Sequence, residues 1–447
     1  MITSQNLIDK ICCAINAGGL TALQTCQTTN ALTILSNPVC SVANFASLPS
    51  ATCYNGRMIF VTNENRYYHA VDGAWNCNFS SRCEVRGGIW GVGQNSQGIL
   101  GDNTGTPTSS PVSAIGGITD WCLISAGSTT SMGLRFNGTA WAWGPGYNGR
   151  LGDGTTVTKS SPVPVVGGLL WCKVSTTQHT IAIRNNGTLW SWGVNLYGRL
   201  GDGTTVSKSS PVSVVGGFTD WCQVSAGGSH SLGVRTNGTA WAWGYNSYGR
   251  LGDGTTVNKS SPVSVVGGFT DWCQVSGAAT GSHNLGVRTN GTAWAWGCNY
   301  QGQLGDGTTV NKSSPVSVIG GFTDWCQVSA GRAHSLGVRT NGTAWAWGIN
   351  NQGQLGEGGY TGRSSPRSVV GGFTDWCQVS AGYNHSAGVR TNGTAWAWGL
   401  NTCGRLGDCT TATKLSPVSI IGGFTSWILV CASSSVTIGI AGSIKGC

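Results

Sequence analysis

The chain has 447 residues, of which 39% are hydrophobic and 9% charged, and its formal net charge is +9. Its 72 glycines and 21 tryptophans supply turn residues and large apolar side chains, a composition that excludes an intrinsically disordered chain. A transmembrane helix needs about 20 consecutive apolar residues, and no stretch of the sequence approaches that length, so we expect no membrane span.

Residues 1–82 differ in composition from the rest of the chain and are predicted to form a separate N-terminal module. The segment 6–15 has the apolar spacing of a short amphipathic helix. Segments 57–62 and 66–71 flank a polar turn, which predicts a β-hairpin that is followed by Trp75. Charged residues interrupt the apolar run of segment 6–15 and no basic region precedes it, so we expect no signal peptide.

The remainder of the chain repeats one unit of about fifty residues, which indicates a repeat architecture. In the copy from residue 221, the sequence predicts four short strands at 221–226, 230–236, 239–244 and 261–266. Asn237-Gly238 joins the second and third strands, and Asn-Gly is the strongest signal for a tight hairpin because both residues accept positive φ. Four antiparallel strands with short connections indicate a β-propeller blade. The copies begin at Trp121, Trp171, Trp221, Trp272, Trp325 and Trp376, with a fragment at Trp427.

The two ends of the repeat region predict how the propeller closes. The sequence after Trp427 supplies only the first two strands of a blade, and the sequence before Trp121 supplies only the last two. Joined, these halves complete a seventh blade and remove the exposed sheet edges of an open structure. We therefore predict an all-β protein: a seven-bladed β-propeller closed by a split blade over residues 83–447, preceded by a small N-terminal β module with a short helix over residues 1–82.

The positive charge is distributed around the repeats rather than concentrated in one patch. Because each type of charge recurs at one position of successive blades, we expect solvated rims and no nucleic-acid partner, which would require a clustered basic surface. The recurring arginines are Arg135, Arg184, Arg235, Arg288, Arg339 and Arg390, and the recurring lysines are Lys159, Lys208, Lys259, Lys312 and Lys414.

The 18 cysteines fall into two groups. Six follow the Trp that opens a blade, and equivalent positions of neighbouring blades should lie too far apart for a disulfide, which needs Cα atoms within about 7 Å. We therefore expect these six to be buried and unpaired. The others are irregular, and a bond between Cys83 and Cys447, near the two ends of the split blade, stays open. The six are Cys122, Cys172, Cys222, Cys273, Cys326 and Cys377.

No recurring polar residue predicts catalysis or metal binding. Histidines open the second strand of successive blades, and because each adjoins a tight glycine turn, we expect it to hold a backbone carbonyl. The Leu-Gly-Asp-Gly loops offer one carboxylate each, whereas calcium takes six or more oxygen ligands, so a loop-capping role is expected. We predict no enzymatic activity, no cofactor and no metal site. The histidines are His179, His230, His283, His334 and His385.

Candidate binding residues come from turns that differ between copies. In an antiparallel four-stranded blade the first and third turns open on one face, here called the first face, and the second and fourth turns open on the second face. Second-face turns barely vary, whereas first-face turns vary and carry tyrosines, which are favoured contact residues on rigid scaffolds. The competing interpretation is drift among loops without packing constraints. The candidate recognition residues are Tyr147, Tyr197, Tyr245, Tyr248, Tyr300, Arg332 and Tyr383.

The repeated motif also carries a family resemblance. Gly-x-x-His-Ser-Leu followed by Asn-Gly-Thr-x-Trp-x-Trp-Gly-x-Asn-x-x-Gly-x-Leu-Gly-Asp-Gly resembles the regulator of chromosome condensation repeat, over Gly87 to about Gly446. The resemblance implies a seven-bladed propeller closed by a split blade. It leaves the function open, because that family includes a nucleotide exchange factor for a small GTPase, a plant ultraviolet receptor and many binding modules. We find neither the inserted wedge of the exchange factor nor the extra tryptophans of the photoreceptor.

Within the N-terminal module, the segments 45–49 and 55–75 resemble a short module of phage tail, fibre and appendage proteins. This resemblance implies that residues 1–82 attach the protein to other virion proteins. The candidate attachment residues are Arg57, Phe60, Arg66, Tyr67, Tyr68 and Trp75.

These observations favour a non-enzymatic virion appendage of a phage, made in the host cytosol, located in the virion and present in multiple copies. In this interpretation the propeller is displayed for recognition of a host surface protein or glycan, or serves as decoration. The alternative is a cellular propeller scaffold that binds a protein partner such as a small GTPase or chromatin.

Overall fold

A computed structural model describes residues 87–442 and four strands that precede them. These strands are β1 (Cys40–Val42), β2 (Met58–Val61), β3 (Arg66–Val71) and β4 (Ala74–Asn76). The chain divides into two compact units, Met1–Ser81 and Arg82–Cys447. In the first unit β1 pairs in parallel with β2, and β2, β3 and β4 pair antiparallel in chain order. The hairpin predicted from the sequence is formed by β2 and β3, whereas the helix predicted at 6–15 lies outside the described residues.

The second unit is built from repeated four-stranded antiparallel blades. Within residues 87–442, all helical segments are single 3-10 turns, at Tyr147–Gly149, Leu196–Gly198 and Thr402–Gly404. No helix in the described part of the chain is long and apolar enough to cross a membrane.

In six blades, the four strands pair in the order in which they occur along the chain. The first two contain β7 (Trp121–Ala126), β8 (Ser131–Arg135), β9 (Ala140–Gly144) and β10 (Lys159–Pro164), then β11 (Trp171–Thr176), β12 (His179–Arg184), β13 (Leu189–Gly193) and β14 (Lys208–Ser213). The next two contain β15 (Trp221–Ala226), β16 (His230–Arg235), β17 (Ala240–Gly244) and β18 (Lys259–Ser264), then β19 (Trp272–Gly277), β20 (His283–Arg288), β21 (Ala293–Gly297) and β22 (Lys312–Ser317). The last two contain β23 (Trp325–Ala330), β24 (His334–Arg339), β25 (Ala344–Gly348) and β26 (Arg363–Ser368), then β27 (Trp376–Ala381), β28 (His385–Arg390), β29 (Ala395–Gly399) and β30 (Lys414–Ser419).

The remaining four strands come from the two ends of the second unit. They are β5 (Gly87–Gly93), β6 (Thr108–Ser113), β31 (Trp427–Ala432) and β32 (Val436–Gly442), and they pair in the order β31-β32-β5-β6. The β32–β5 register runs without a break from Val436 opposite Gly93 to Gly442 opposite Gly87. A single further bridge, between Gly87 and Trp121, connects β5 to β7.

Tryptophans connect neighbouring blades, as their regular use in the sequence predicts. Trp221 is buried, and within its own blade its ring lies over Gly233 of β16. A Cβ atom at position 233 would lie only 2.5 Å from the indole, so glycine leaves room for the ring. The Nε1 of Trp296 donates a hydrogen bond to a backbone carbonyl of the preceding blade at 3.1 Å. One hydrophobic cluster combines Leu232 of one blade with Trp272 and Trp296 of the next. Each blade is therefore completed by side chains of its neighbour.

Glutamine and serine side chains bind the free edges of the first strands. The first strands of successive blades, β7, β11, β15, β19, β23, β27 and β31, contact one another in that order, and β31 also contacts β7. Gln274 Nε2 donates to Val328 O at 3.1 Å, and Val328 N donates to Gln274 Oε1 at 2.9 Å. Ser276 Oγ accepts from Ala330 N at 3.0 Å. Because a glutamine side chain carries the same amide group as the backbone, it occupies the place of a further strand at each edge.

The glutamine bridges are present between some blades and absent between others. They recur at Gln223, Gln327 and Gln378, whereas the equivalent position holds Leu123, Lys173 or Leu429 in the other first strands.

The six cysteines that follow the blade-opening Trp are not uniformly buried, so that prediction was wrong. Cys122 is buried, Cys172 and Cys222 are half-buried, and Cys273, Cys326 and Cys377 are exposed. A β-bulge recurs at this position in all six blades, because the pairing of the first strand with the second skips the cysteine. The bulge takes the side chain out of the regular pairing, and its exposure then differs between blades, from the buried Cys122 to the exposed Cys377. The thiol instead donates to a backbone carbonyl of the second strand, as from Cys326 Sγ to Val338 O at 3.3 Å.

Candidate protein-binding face

The first-face loops are held rigid by one repeated hydrogen-bond pattern. In the blade of β15–β18, Asn246 Oδ1 accepts from Leu251 N at 2.9 Å, and Asn246 Nδ2 donates to Asp253 at 3.1 Å. Asp253 accepts from Thr255 N at 3.0 Å and lies 3.9 Å from Lys259 Nζ. The Leu-Gly-Asp-Gly carboxylate is thus occupied by its own loop, as its predicted capping role requires. These loops form a fixed platform for their exposed side chains.

Four of the predicted recognition residues lie together on the first face. The rings of Tyr197 and Tyr245 stack with centroids 4.4 Å apart, and the rings of Tyr248 and Tyr300 meet edge to face at 5.7 Å. The guanidinium of Arg250 joins the two pairs, at 4.7 Å from the Tyr245 ring centroid and 5.7 Å from that of Tyr248. We call Tyr197, Tyr245, Tyr248 and Tyr300 the tyrosine cluster; it spans the third-turn loops of three successive blades.

The other predicted residues are not part of this cluster. Arg332 packs over the Tyr383 ring at 4.3 Å, in a separate pair on later blades. Tyr147 is exposed on the loop that precedes the cluster, and its side chain acts electrostatically on Arg150. Among the attachment candidates, Arg57 lies outside the described residues. The side chains of Phe60, Arg66, Tyr67, Tyr68 and Trp75 are likewise outside the described part of the structure.

Sequence reasoning missed the arginines of the third-turn loops. Arg199, Arg250 and Arg405 are only 2%, 3% and 7% exposed, and Arg150 is half-buried at the equivalent position. Arg199 Nη1 donates to the carbonyl oxygen of Gly228, in the first turn of the next blade, at 2.8 Å. Arg405 makes the same kind of contact to the next first turn, at 2.9 Å. A difference between copies could have revealed these arginines in the sequence, because two blades carry glutamine where these four carry arginine.

The electrostatics of these arginines are unusual for charges so deeply buried. Burial lowers the pKa of Arg199 to about 10; Tyr197 opposes that shift, and the positive charges of Arg150 and Arg250 add to it. Within the described residues, none of the third-turn arginines forms an ion pair, whereas the aspartates of these loops pair with lysines. With a pKa of about 10, Arg199 remains charged at neutral pH, and no carboxylate of the described residues pairs with it.

The recurring arginines of the opposite face are different, because most are neutralised. Arg235 Nε lies 2.8 Å from Asp220 Oδ1, and its guanidinium stacks 3.9 Å from the Phe218 ring centroid. The same ion pair recurs at Arg135, Arg288, Arg339 and Arg390. The sequence predicted solvated rims, but these charges are partly covered and paired within each blade.

The recurring histidines connect blades through side-chain partners, which the sequence did not predict, and the side chain of His385 alone among them also interacts with a backbone group, that of Val436. His283 Nε2 lies 2.9 Å from Ser335 Oγ of the next blade, and that hydroxyl donates its proton to Gln303 O at 2.7 Å. The histidine therefore carries its proton on Nε2 and donates it. Burial lowers the pKa of His230, His283 and His334 to about 3. In the part of the chain that the structure describes, no group of three or more potential ligand side chains could hold a metal ion.

Comparisons with known proteins agree with this architecture. The family described as Regulator of chromosome condensation (RCC1) repeat matches residues 186–234, 237–283, 290–338 and 341–389, and a second description of that repeat matches segments from residue 221 to residue 405. The Ultraviolet-B receptor UVR8 of Arabidopsis thaliana is 29% identical over 306 residues, which cover 67% of this chain and 69% of that protein. E3 ubiquitin-protein ligase HERC2 of Homo sapiens is 28% identical over 75% of this chain, but the match covers 7% of HERC2.

Solved structures show the same fold at lower sequence identity. Yeast RCC1 (Prp20), in its complex with Kap60, has a TM-score of 0.71 and 19% identity, with 81% of this chain and 90% of that chain covered. Human WBSCR16 also has a TM-score of 0.71 and 19% identity, with 80% and 99% covered. Residues 186–405 therefore match the regulator of chromosome condensation repeat, and the fold of repeated four-stranded blades is that of an all-β propeller.

Proposed function

We propose that this chain is a non-enzymatic, protein-binding propeller that holds its partner on the first face. The observation that carries the proposal is the tyrosine cluster, whose rings stand on rigid loops beside uncompensated arginines. Tyrosine and arginine are the residues that dominate the energetics of protein interfaces. Related propellers have been recorded with protein partners: yeast Prp20 with Kap60, and Prp20p in a study of its binding to Gsp1p and histones.

We also infer that the blades close into a seven-bladed ring, with β31, β32, β5 and β6 as a split blade. The unbroken register between β32 and β5 supports this arrangement. The contact between β31 and β7 supports it as well. β31 is the first strand of the split blade, and β7 is the first strand of the earliest blade that is formed by consecutive strands. A closed ring would place all first-face loops around one rim, and it would leave no exposed inner edge.

The virion interpretation is not carried forward as the main function. The relatives and structures described above give it no support, and they agree better with a propeller that binds a protein partner. Virion location and attachment through residues 1–82 stay predictions from the N-terminal resemblance. A small GTPase or chromatin as the partner is likewise a prediction, since the similarity to Prp20 is limited to the fold.

Site-specific cross-linking tests the protein-binding proposal. A photoreactive phenylalanine derivative is placed at Tyr248 on the first face or, as a control, at Asn237 on the second face, and partners are captured from an extract of the source organism. We expect a product from position 248 that disappears in the Tyr300→Ala variant. The matched control is Tyr360→Ala, because Tyr360 and Tyr300 are both 59% exposed but Tyr360 lies outside the cluster.

A capture that survives Tyr300→Ala, or that arises equally from Asn237, would contradict a first-face binding site. Unfolding would not explain the expected loss, because exposed loop substitutions usually change stability by less than about 0.5 kcal/mol.

A further inference from the structure

We propose that Arg150, Arg199 and Arg250 form an anion-binding arc that receives an acidic polypeptide segment of the partner. The three arginines occupy the same loop position in three successive blades, and Arg250 packs against two rings of the tyrosine cluster. This inference rests on the proposed protein-binding function and adds the chemical class of the segment that is bound.

The fold itself does not require arginine at this position. In two other blades the position holds Gln303 and Gln354, whose Oε1 atoms each accept a backbone N–H of their own loop at 2.8 Å. The backbone is held in the same way in both cases: the carbonyl of Arg250 accepts from Trp296 Nε1 at 3.1 Å, and that of Gln303 accepts from the next blade's indole at 2.9 Å. A neutral side chain that is satisfied within its loop is thus compatible with the same local structure.

The burial of the arc is compensated only in part. Arg199 donates to Leu196 O at 3.1 Å and to Gly228 O at 2.8 Å, and Arg150 Nη1 donates to Thr129 Oγ1 at 2.8 Å. The Nε atoms of Arg150 and Arg250, in contrast, are buried without a hydrogen-bond partner. Arg250 is 3% exposed, and its hydrogen bond to Ser247 is long, at 3.5 Å. Burying an unpaired charge is unfavourable, and one charged hydrogen bond contributes about 1.5–3 kcal/mol when it is made. A bound anion would supply the missing acceptors.

The shape of the site favours an extended occupant with several carboxylates. Arg150 and Arg199, and Arg199 and Arg250, are close enough for their charges to interact, so the positive potential continues across three blades. A single small anion would neutralise one position, whereas an acidic polypeptide would present a carboxylate to each. Guanidinium groups bind carboxylates through paired hydrogen bonds.

The tyrosines would contact the remainder of the same segment. Tyr197 lies in the left-handed region at φ 67°, as Asn148 and Cys403 do at the same position of their loops, and this shared turn places the Tyr197 ring against Tyr245. The exposed rings offer apolar contact area next to the arginine charges, a combination that suits aromatic or aliphatic residues between the carboxylates.

Fluorescence anisotropy with the full chain tests the proposal. The probe is a labelled peptide of about a dozen residues that alternates glutamate and leucine, and the control probe replaces every glutamate by glutamine. We expect the glutamate peptide to bind and the affinity to fall as salt increases. The triple variant R150Q/R199Q/R250Q should bind it at least about tenfold more weakly, and Arg250→Gln alone should lose part of the affinity.

Arg405→Gln is the matched control, because Arg405 has the same loop position and similar burial but is separated from the arc by the blade that carries Ile99. It should leave the affinity unchanged. Equal loss in Arg405→Gln, or equal binding of the glutamine peptide, would overturn the proposal. Arginine-dependent binding of a sulfated polysaccharide without binding of the glutamate peptide would also overturn it, because the anion would then not be polypeptide.

The cross-linking assay separates the two proposals. If the triple variant still captures the partner while Tyr300→Ala does not, the first face binds protein but the arginine arc does not recognise an acidic segment. If both variants capture the partner normally, protein binding on this face is itself refuted.

Discussion

The substitution Gln327→Leu tests whether side-chain amides hold successive blades together. Gln327 Nε2 donates to Val379 O at 2.9 Å, and Val379 N donates to Gln327 Oε1 at 2.8 Å. Leucine should fit, because the equivalent position naturally holds Leu123 and Leu429. The change removes two hydrogen bonds of about 1 kcal/mol each, and Gln327 is only half-buried, so water can partly replace them. We therefore expect the free energy of unfolding to fall by about 1 kcal/mol, with about 2 kcal/mol as the upper bound.

Urea denaturation measures this loss, and amide hydrogen exchange locates it. The midpoint should decrease with an unchanged slope, and the amide of Val379 should exchange faster than in the unsubstituted protein. Gln301→Leu is the control, since Gln301 is exposed on a loop and should stay within about 0.5 kcal/mol. A Gln327→Leu protein that is as stable as this control would refute the role assigned to the glutamine bridges.

Three further predictions concern the ring, its thiols and its histidines. Deletion of residues 427–447 should expose the edge of β5 that pairs with β32 and cause aggregation or loss of cooperative unfolding in calorimetry; an equally sharp melt would argue against the split blade. In native labelling followed by mass spectrometry, Cys273, Cys326 and Cys377 should react and Cys122 should not, with the rate at Cys326 rising above neutral pH because partial desolvation of the sulfur atom raises the thiol pKa. The histidine pKa values near 3, below the ordinary value of 6.5, mean that the unfolded chain binds protons first as pH falls. Urea denaturation at pH 7 and pH 5 should therefore show lower stability at pH 5, by up to about 1.4 kcal/mol per pH unit for each histidine; no difference would contradict their neutral burial.

Much of the fold is readable from the repeats because local signals determine each blade. The predicted strand at 221–226 is observed unchanged as β15, and the Asn237-Gly238 turn joins β16 and β17 as predicted. The fourth strand was predicted from residue 261 but begins at Lys259, because that residue pairs with Gly244 next to a register shift. Such a shift has no signature in the apolar pattern, which is also why the exposure of the bulge cysteines was missed.

The candidate site was predictable only in part because it depends on contacts between blades. Variable turns directed attention to Tyr197, Tyr245, Tyr248 and Tyr300, but their contacts through Arg250 require the positions of three loops in space. The histidine partners also lie one blade away and have no fixed spacing pattern that a single repeat reveals. The alternation of arginine and glutamine was visible in the sequence, yet its significance depends on burial and on missing acceptors.

Hydrogen exchange with the partner recovered by cross-linking tests most directly whether the first face binds protein. We expect partner binding to slow amide exchange in the first-face loops 194–207 and 245–258. Exchange in the second-face turn 236–239, the internal control of the same blade, should stay unchanged. Slower exchange confined to second-face turns, with no change in the two loops, would show that the partner does not bind the first face.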